Sequence, residues 1–216
     1  MINIPSKSFV ASFDIHAQYT FTPVCPDELP VPGGTEIVDE LNAQARLAGI
    51  RIGAKEAHHP KAIWVATAEH PQLSPIKGEN VDVRWNSHAI AGTKGFELIA
   101  GLPKIMDYDY FSWQGIELDM HPYGACYHDV AEKMSTGVIE FLKSKNITTV
   151  LVGGLATDLC VKTTVLQLLR AKFRVIVNLG ACRGTHPKAI EKAVNEMRKQ
   201  GAELVNSASE LSSEAP

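Results

Sequence analysis

Short apolar runs rich in β-branched residues alternate along this chain with stretches of helical period, and that alternation limits the fold more than any other feature. Such runs suit strands buried on both faces. "SFVASFDI" (8–15), "GIRIGA" (49–54), a run within "KIMDYDYF" (104–111), "TTVLVGG" (148–154) and "FRVIVNLGA" (173–181) are of this kind, and "GAELVNS" (201–207) adds a last one. Between them lie helical segments. Thr35 is placed to cap a helix over 36–48, with Ile37, Val38, Leu41 and Ala45 on one face. Further helices are expected over 130–145, 160–172 and 186–200, the last with Pro187 in its first turn. Strands joined through helices run parallel, and a parallel sheet needs cover on both faces. The expected fold is therefore a single-domain, parallel-sheet, three-layer α/β/α sandwich over residues 1–216. Its core should span about 9–208, with the tail "SASELSSEAP" (207–216) frayed.

Composition removes several classes of function. A chain of 216 residues that is 45% hydrophobic can bury a substantial core. Its formal charge of -3, with Lys and Arg scattered, gives no footprint for nucleic acid. No apolar run reaches the roughly 18 residues of a membrane span, and "MINIPSKSF" lacks the apolar centre of a signal peptide. A cytoplasmic location without membrane partners is the expectation, and homo-oligomerisation stays open. Cys25, Cys126, Cys160 and Cys182 form no C-x-x-C pair, which argues against a disulfide framework or a zinc ribbon.

In open parallel sheets, functional groups gather beyond the carboxyl ends of the strands. Asp14, Glu56 and Cys160 all stand at such ends. Cys160, in "GGLATDLC", follows a buried strand where a helix should begin. A lone cysteine in apolar surroundings is most often a small buried hydrophobe. A helix start, however, brings backbone N–H groups and the positive end of the helix dipole to the sulfur, which favours thiolate. The second constellation is "KEAHHP", in which Glu56 and His58 are separated by one residue and fall on one side of an extended segment. With His88 of "RWNSHAIAGTKG", they would make a two-histidine, one-carboxylate metal site with open positions, for which neighbouring His59 competes with His58.

These motifs together resemble the isochorismatase-like cysteine hydrolases, and among them the nicotinamidases, from about residue 9 to 208. "DIHAQYTF" is similar to the family's D-x-Q-N-D-F strand end, with Asp14 read as its aspartate. "VPGG" is kept, "EAHHP" resembles the D-W-H-P metal turn, "WNSHAIAGTKG" the W-x-x-H-C-x-x-G-T-x-G segment, and "GLATDLCV" the G-x-A-T-D-x-C-V nucleophile turn. The resemblance implies Cys160 as nucleophile and Asp14 as the base that takes its proton. It implies a cis peptide joining Leu155 to Ala156, with the Ala156 and Cys160 N–H groups as oxyanion hole. It further implies a divalent metal, zinc ahead of iron or manganese, on Glu56, His58 and His88. Tyr19, Trp85, Tyr123 and Leu155 fall where the family encloses a flat aromatic substrate.

Two departures bear on activity. Gln114 stands where the family has a lysine beside the Asp–Cys pair, so it offers a hydrogen bond without a charge. On that basis Gln114→Lys should raise turnover at neutral pH. Glu56 replaces aspartate, and "YGAC" replaces Y-S-x-F around Cys126. The resemblance therefore implies an amidohydrolase converting nicotinamide to nicotinate and ammonia in NAD salvage. The departures favour, as the alternative, another small-molecule substrate or a catalytically weakened ligand-binding relative. A redox-sensing thiol is the weaker third reading, because no resolving cysteine lies near Cys160 in sequence.

Overall fold

Six strands, β2 (Val10–Ile15), β3 (Ile50–Glu56), β6 (Tyr110–Gln114), β7 (Thr149–Leu155), β8 (Arg174–Arg183) and β9 (Glu203–Val205), form one sheet in the order β6-β3-β2-β7-β8-β9. Every pairing is parallel in this computed structural model, which describes residues 1–213. The central strands are buried along their whole length, as their unbroken apolar patterns require. Two short ladders lie outside the sheet: β1 (Ile2–Ile4) with β10 (Leu211–Ser213), and β4 (Pro75–Gly78) with β5 (Val81–Val83).

Helix α1 (Val38–Ala45) covers one face, packing Leu41 beside Ile37, Leu155 and Ala181. Helices α2 (Val138–Ser144), α3 (Lys162–Arg170) and α4 (Pro187–Lys199) cover the other. There Val138, Leu142, Val161, Val165, Leu168 and Met197 meet Phe13, Ile15, Ile52 and Val152. Fully burying a leucine of this core stabilises the fold by about 1.5–3 kcal/mol. This is the expected single α/β domain in three layers. No described helix is long and apolar enough to cross a membrane.

Three local expectations differ from the structure. Thr35 caps nothing, because Gly34–Ile37 is a 3-10 turn that leads into α1. The helix expected from 130 begins only at Val138; upstream, the Asp129 carboxylate accepts from the Lys133 and Met134 backbone N–H groups, and Gly137 has φ of 84°. The tail does not fray from 207: Ser207 caps a 3-10 turn, and Leu211–Ser213 pairs with Ile2–Ile4. Residues 214–216 lie outside the described residues.

The strand order reverses direction between β2 and β7. Such a switch point leaves a crevice beyond the carboxyl ends of the two strands.

Candidate active site

Cys160 lies at that crevice, in a π-helical turn (Thr157–Val161) joining β7 to α3. The Leu155–Ala156 peptide before it is cis, as the resemblance implies, and the Ala156 N–H faces the Cys160 sulfur. The cysteine is only 5% exposed. Burial pushes its thiol well above the ordinary range, the Glu56 carboxylate adds to this, and the Ala156 N–H opposes it. The help expected from a helix start is therefore outweighed by desolvation.

Glu56 ends β3 and is clamped by its backbone. Gln18 Nε2 donates to its carbonyl at 2.9 Å, while its own N–H donates to Gln18 Oε1 at 2.8 Å. One carboxylate oxygen, Oε2, lies 3.0 Å from Nε2 of both His58 and His88. The Nδ1 atoms of those rings lie 2.8 Å from the Gly115 carbonyl and 2.7 Å from the Asn86 carbonyl. A carbonyl only accepts, so each Nδ1 carries the hydrogen and each neutral ring turns an Nε2 lone pair toward the carboxylate. Two lone pairs and an anionic oxygen converging on one point suit a cation. Gly115 makes this arrangement possible. Its φ is 82°, and a Cβ there would lie 2.4 Å from His58 Cε1.

A fourth group, which the sequence did not single out, completes the cluster. His121 is buried, neither ring nitrogen has a partner, and its ring stacks on His58 with centroids 5.2 Å apart. Ligand atoms of Glu56, His58, His88 and His121 all lie within 4.8 Å of one another. Burial pushes the His121 imidazole well down, and His58 adds to this. No sequence spacing links His121 to the others. It arrives through a loop fixed by Trp64, whose Nε1 donates to the Met120 carbonyl at 2.9 Å. His59 faces away, its Nδ1 accepting from the Lys61 N–H.

Trp85 and Tyr123 line a narrow inner recess together with Glu56, His88, His121 and Cys160. It continues outward into a cavity of about 320 Å³ past Pro26, Gln72, Asn86 and Thr185. Tyr19 lines neither. Its hydroxyl accepts from the Ala100 N–H, the Lys94 ammonium lies 4.1 Å from its ring centroid, and Phe21 takes the wall position instead. Leu155 is also not a wall, being fully buried in the core under α1.

The largest displacement concerns Asp14. Its Oδ2 accepts from Arg51 Nε at 2.9 Å and the Tyr108 hydroxyl at 2.8 Å, and it pairs ionically with Arg51 Nη2 at 2.6 Å. Arg51 also donates to Asn42 on α1, so this network belongs to the α1 face of the sheet. The side chains around the Cys160 sulfur are Glu56, whose Oε1 is 3.5 Å away, and His16. Gln114 reaches the same place: its Nε2 donates to the Gly124 carbonyl at 3.0 Å and its side chain approaches His16. Asp14 and Tyr19 are thus each two residues short of the groups at the site, His16 and Phe21. A signal for this was present. With His16 in first place, Gln18 and Phe21 supply the Q and F of D-x-Q-N-D-F.

The family model described as the isochorismatase domain matches residues 32–209. The chain is 28% identical over 198 residues to the nicotinamidase of Acinetobacter baylyi, covering 89% of this chain and 90% of that protein. Among solved structures, it is similar to an Acinetobacter baumanii nicotinamidase/pyrazinamidase, with a TM-score of 0.85 and 25% identity over 94% of this chain and 98% of that one. The pyrazinamidase of Pyrococcus horikoshii in complex with zinc has a TM-score of 0.73 and 24% identity, over 91% and 98% of the two chains.

Proposed function

The chain belongs to the isochorismatase family and is a hydrolase acting on an amide, and from that premise we propose that it converts nicotinamide to nicotinate and ammonia, a step of NAD salvage. The observation that carries this reading is the meeting of Cys160, the Ala156 N–H and the Glu56–His58–His88 group in one recess walled by Trp85 and Tyr123. In it, Cys160 Sγ attacks the amide carbonyl carbon and forms a thioester as the C–N bond breaks, and water then releases the acid. The backbone N–H groups of Ala156 and Cys160 receive the negative charge that builds on the carbonyl oxygen. Glu56, His58 and His88, with His121 as a further donor, would hold one divalent metal, zinc first. Bound there, the metal would supply a Lewis acid for the pyridine nitrogen and so orient the ring. Zinc accompanies the Pyrococcus horikoshii pyrazinamidase, which supports this choice of ion.

The width of the outer cavity favours a second reading, in which the amide carries a larger substituent than a bare ring. Ammonia or amine release from nicotinamide, N-substituted nicotinamides and other small amides, with isochorismate as the non-amide control, tests both. Nicotinamide as the fastest substrate is the expected result. A substituted amide turned over faster would move the assignment to the second reading.

A further inference from the structure

Asp14 is committed to Arg51 and Tyr108 on the α1 face, so another group must take the thiol proton. His16 follows β2 directly and is fully buried, and its φ of 46° lies in the left-handed region that non-glycine side chains seldom adopt. That turn removes it from the strand's alternation. Ser12 bonds Gln44 of α1 and Asp14 faces the same layer, whereas His16 reaches the Cys160 side. One ring nitrogen of His16, one Glu56 oxygen and Cys160 Sγ lie within 4.8 Å of one another.

Two groups border the His16 ring: Glu56, whose Oε1 lies 3.4 Å from Nδ1, and the Gln114 amide. The Gln114 Nε2 is held by the Gly124 carbonyl, which orients the amide and leaves Oε1 a buried acceptor without a partner, as both His16 ring nitrogens are without one. With its hydrogen on the Gln114 side, a neutral His16 keeps a lone pair on its other nitrogen. The lysine of the family pattern could not play this part, since an ammonium only donates. Carboxylate with lysine sums to no net charge, and so does imidazole with glutamine. The two departures therefore form one matched exchange.

We propose that His16 is the catalytic base of this enzyme, standing in for the aspartate of the family pattern, with Gln114 as its positioning residue. The inference rests on the reading of Cys160 as nucleophile. The thiol proton passes to the free His16 nitrogen, giving imidazolium and thiolate. The thiolate forms the C–S bond while the carbonyl π pair moves to oxygen. As the intermediate collapses, the C–N bond breaks and His16 gives its proton to the leaving nitrogen, releasing ammonia. Water then attacks the thioester as His16 takes its proton, and cleavage of the C–S bond frees the carboxylic acid and restores the thiol. Glu56 is the competing acceptor, since its Oε1 is 3.5 Å from the sulfur, but its other oxygen already faces two imidazoles.

The test follows iodoacetamide labelling of Cys160, located by peptide mass spectrometry, beside ammonia release from nicotinamide, at one neutral pH. His16→Asn should slow labelling about tenfold and turnover about 10²–10⁴-fold. Gln114→Lys alone should lower turnover, reversing the expectation drawn from sequence. The double variant His16→Asp/Gln114→Lys, which rebuilds the family pair, should recover at least about tenfold over His16→Asn. His16→Gln serves if His16→Asn does not fold. Labelling and turnover within about threefold of wild type in a folded His16 variant overturn the inference. It also fails if Glu56→Gln slows labelling and His16→Asn does not. Should wild type release no ammonia, the nicotinamide reading falls, while the labelling contrast between the His16 and Glu56 variants still decides the base.

Discussion

Two buried carboxylates stand near the carboxyl ends of adjacent strands, Asp14 on β2 and Glu56 on β3, and they have opposite surroundings. Asp14 meets a guanidinium and a phenol that give hydrogen bonds and keep their protons. Glu56 meets two imidazole nitrogens whose lone pairs are free, and a thiol. Both are almost completely buried, so burial and charge do not separate them. Their partners do. Groups that hold their protons make a carboxylate a structural tie, whereas groups that exchange protons or bind cations make it part of a reacting centre. The crevice at the switch point gathers the second kind, and the α1 face holds the first.

The sharpest way to break that contrast is to remove the thiol. Cys160→Ala should lower ammonia release by at least about 10³-fold. Its circular dichroism and thermal midpoint should stay close to wild type, because alanine fits the same buried turn. Retention of more than a few per cent of activity would put the chemistry elsewhere and leave Glu56 as structural as Asp14.

A second measurement sharpens the Glu56 side. Elemental analysis of wild type should give about one equivalent of zinc, iron or manganese, and His58→Ala or His88→Ala should each lose most of it. Removing a first ligand should weaken affinity by more than the roughly 10–100-fold seen when only an outer partner of a ligand is lost. His121→Ala should fall between the two, since Glu56, His58 and His88 remain. A stoichiometric metal retained in His88→Ala would remove the histidine–carboxylate group from the ion's site.

The fold was readable from sequence because strand and helix periods differ and each switch between them is marked by Gly, Pro or a polar run. Glu56, His58, His88 and Cys160 were readable for a related reason. Glu56, His58 and Cys160 close or follow strands of the parallel sheet, which carries such ends to one edge, whereas His88 lies in the loop after the antiparallel β4–β5 ladder and was marked only by its W-x-x-H segment. The two-residue slip at β2 has a physical cause as well. Alternation places residues 14 and 16 on the same face, and nothing local announces the left-handed turn at His16 that sends them to different layers. Only the Q and F downstream fix the register. His121 was hidden because its approach depends on packing between distant segments, Trp64 against Met120 and Asn80 against His121, and not on spacing along the chain.

On the Asp14 side, the expected effect is smaller and concerns stability alone. Asp14→Ala leaves Arg51 and Tyr108 without their acceptor, which should cost about 2–3 kcal/mol. A lower denaturation midpoint with an unchanged slope would record it. The rate of Cys160 labelling in the folded variant should not move. A fall in that rate matching the His16 variants would return Asp14 to the reacting centre.

The smallest effect is a slope. Burial pushes the Asp14 carboxyl above its ordinary value, and Arg51 and the Tyr108 hydroxyl only partly offset it. Oδ2 takes hydrogen bonds from Arg51 Nε and the Tyr108 hydroxyl as well as the Nη2 contact, while Oδ1 is buried without a partner. A raised folded pKa means that the native chain binds this proton more tightly than the unfolded chain. Stability from Asp14 is then fully present below the unfolded value of about 3.9. It declines as pH rises through the folded value and levels off above it. Asp14→Asn keeps the shape and an acceptor while removing the titration. The stability of wild type minus that of Asp14→Asn, followed by urea unfolding at a series of pH values, cancels the other carboxylates, Glu56 included. That difference should fall as pH rises above about 4 and then flatten. A difference that rises with pH over the same range would mean that Arg51 holds Asp14 ionised, making the tie on the α1 face a true ion pair.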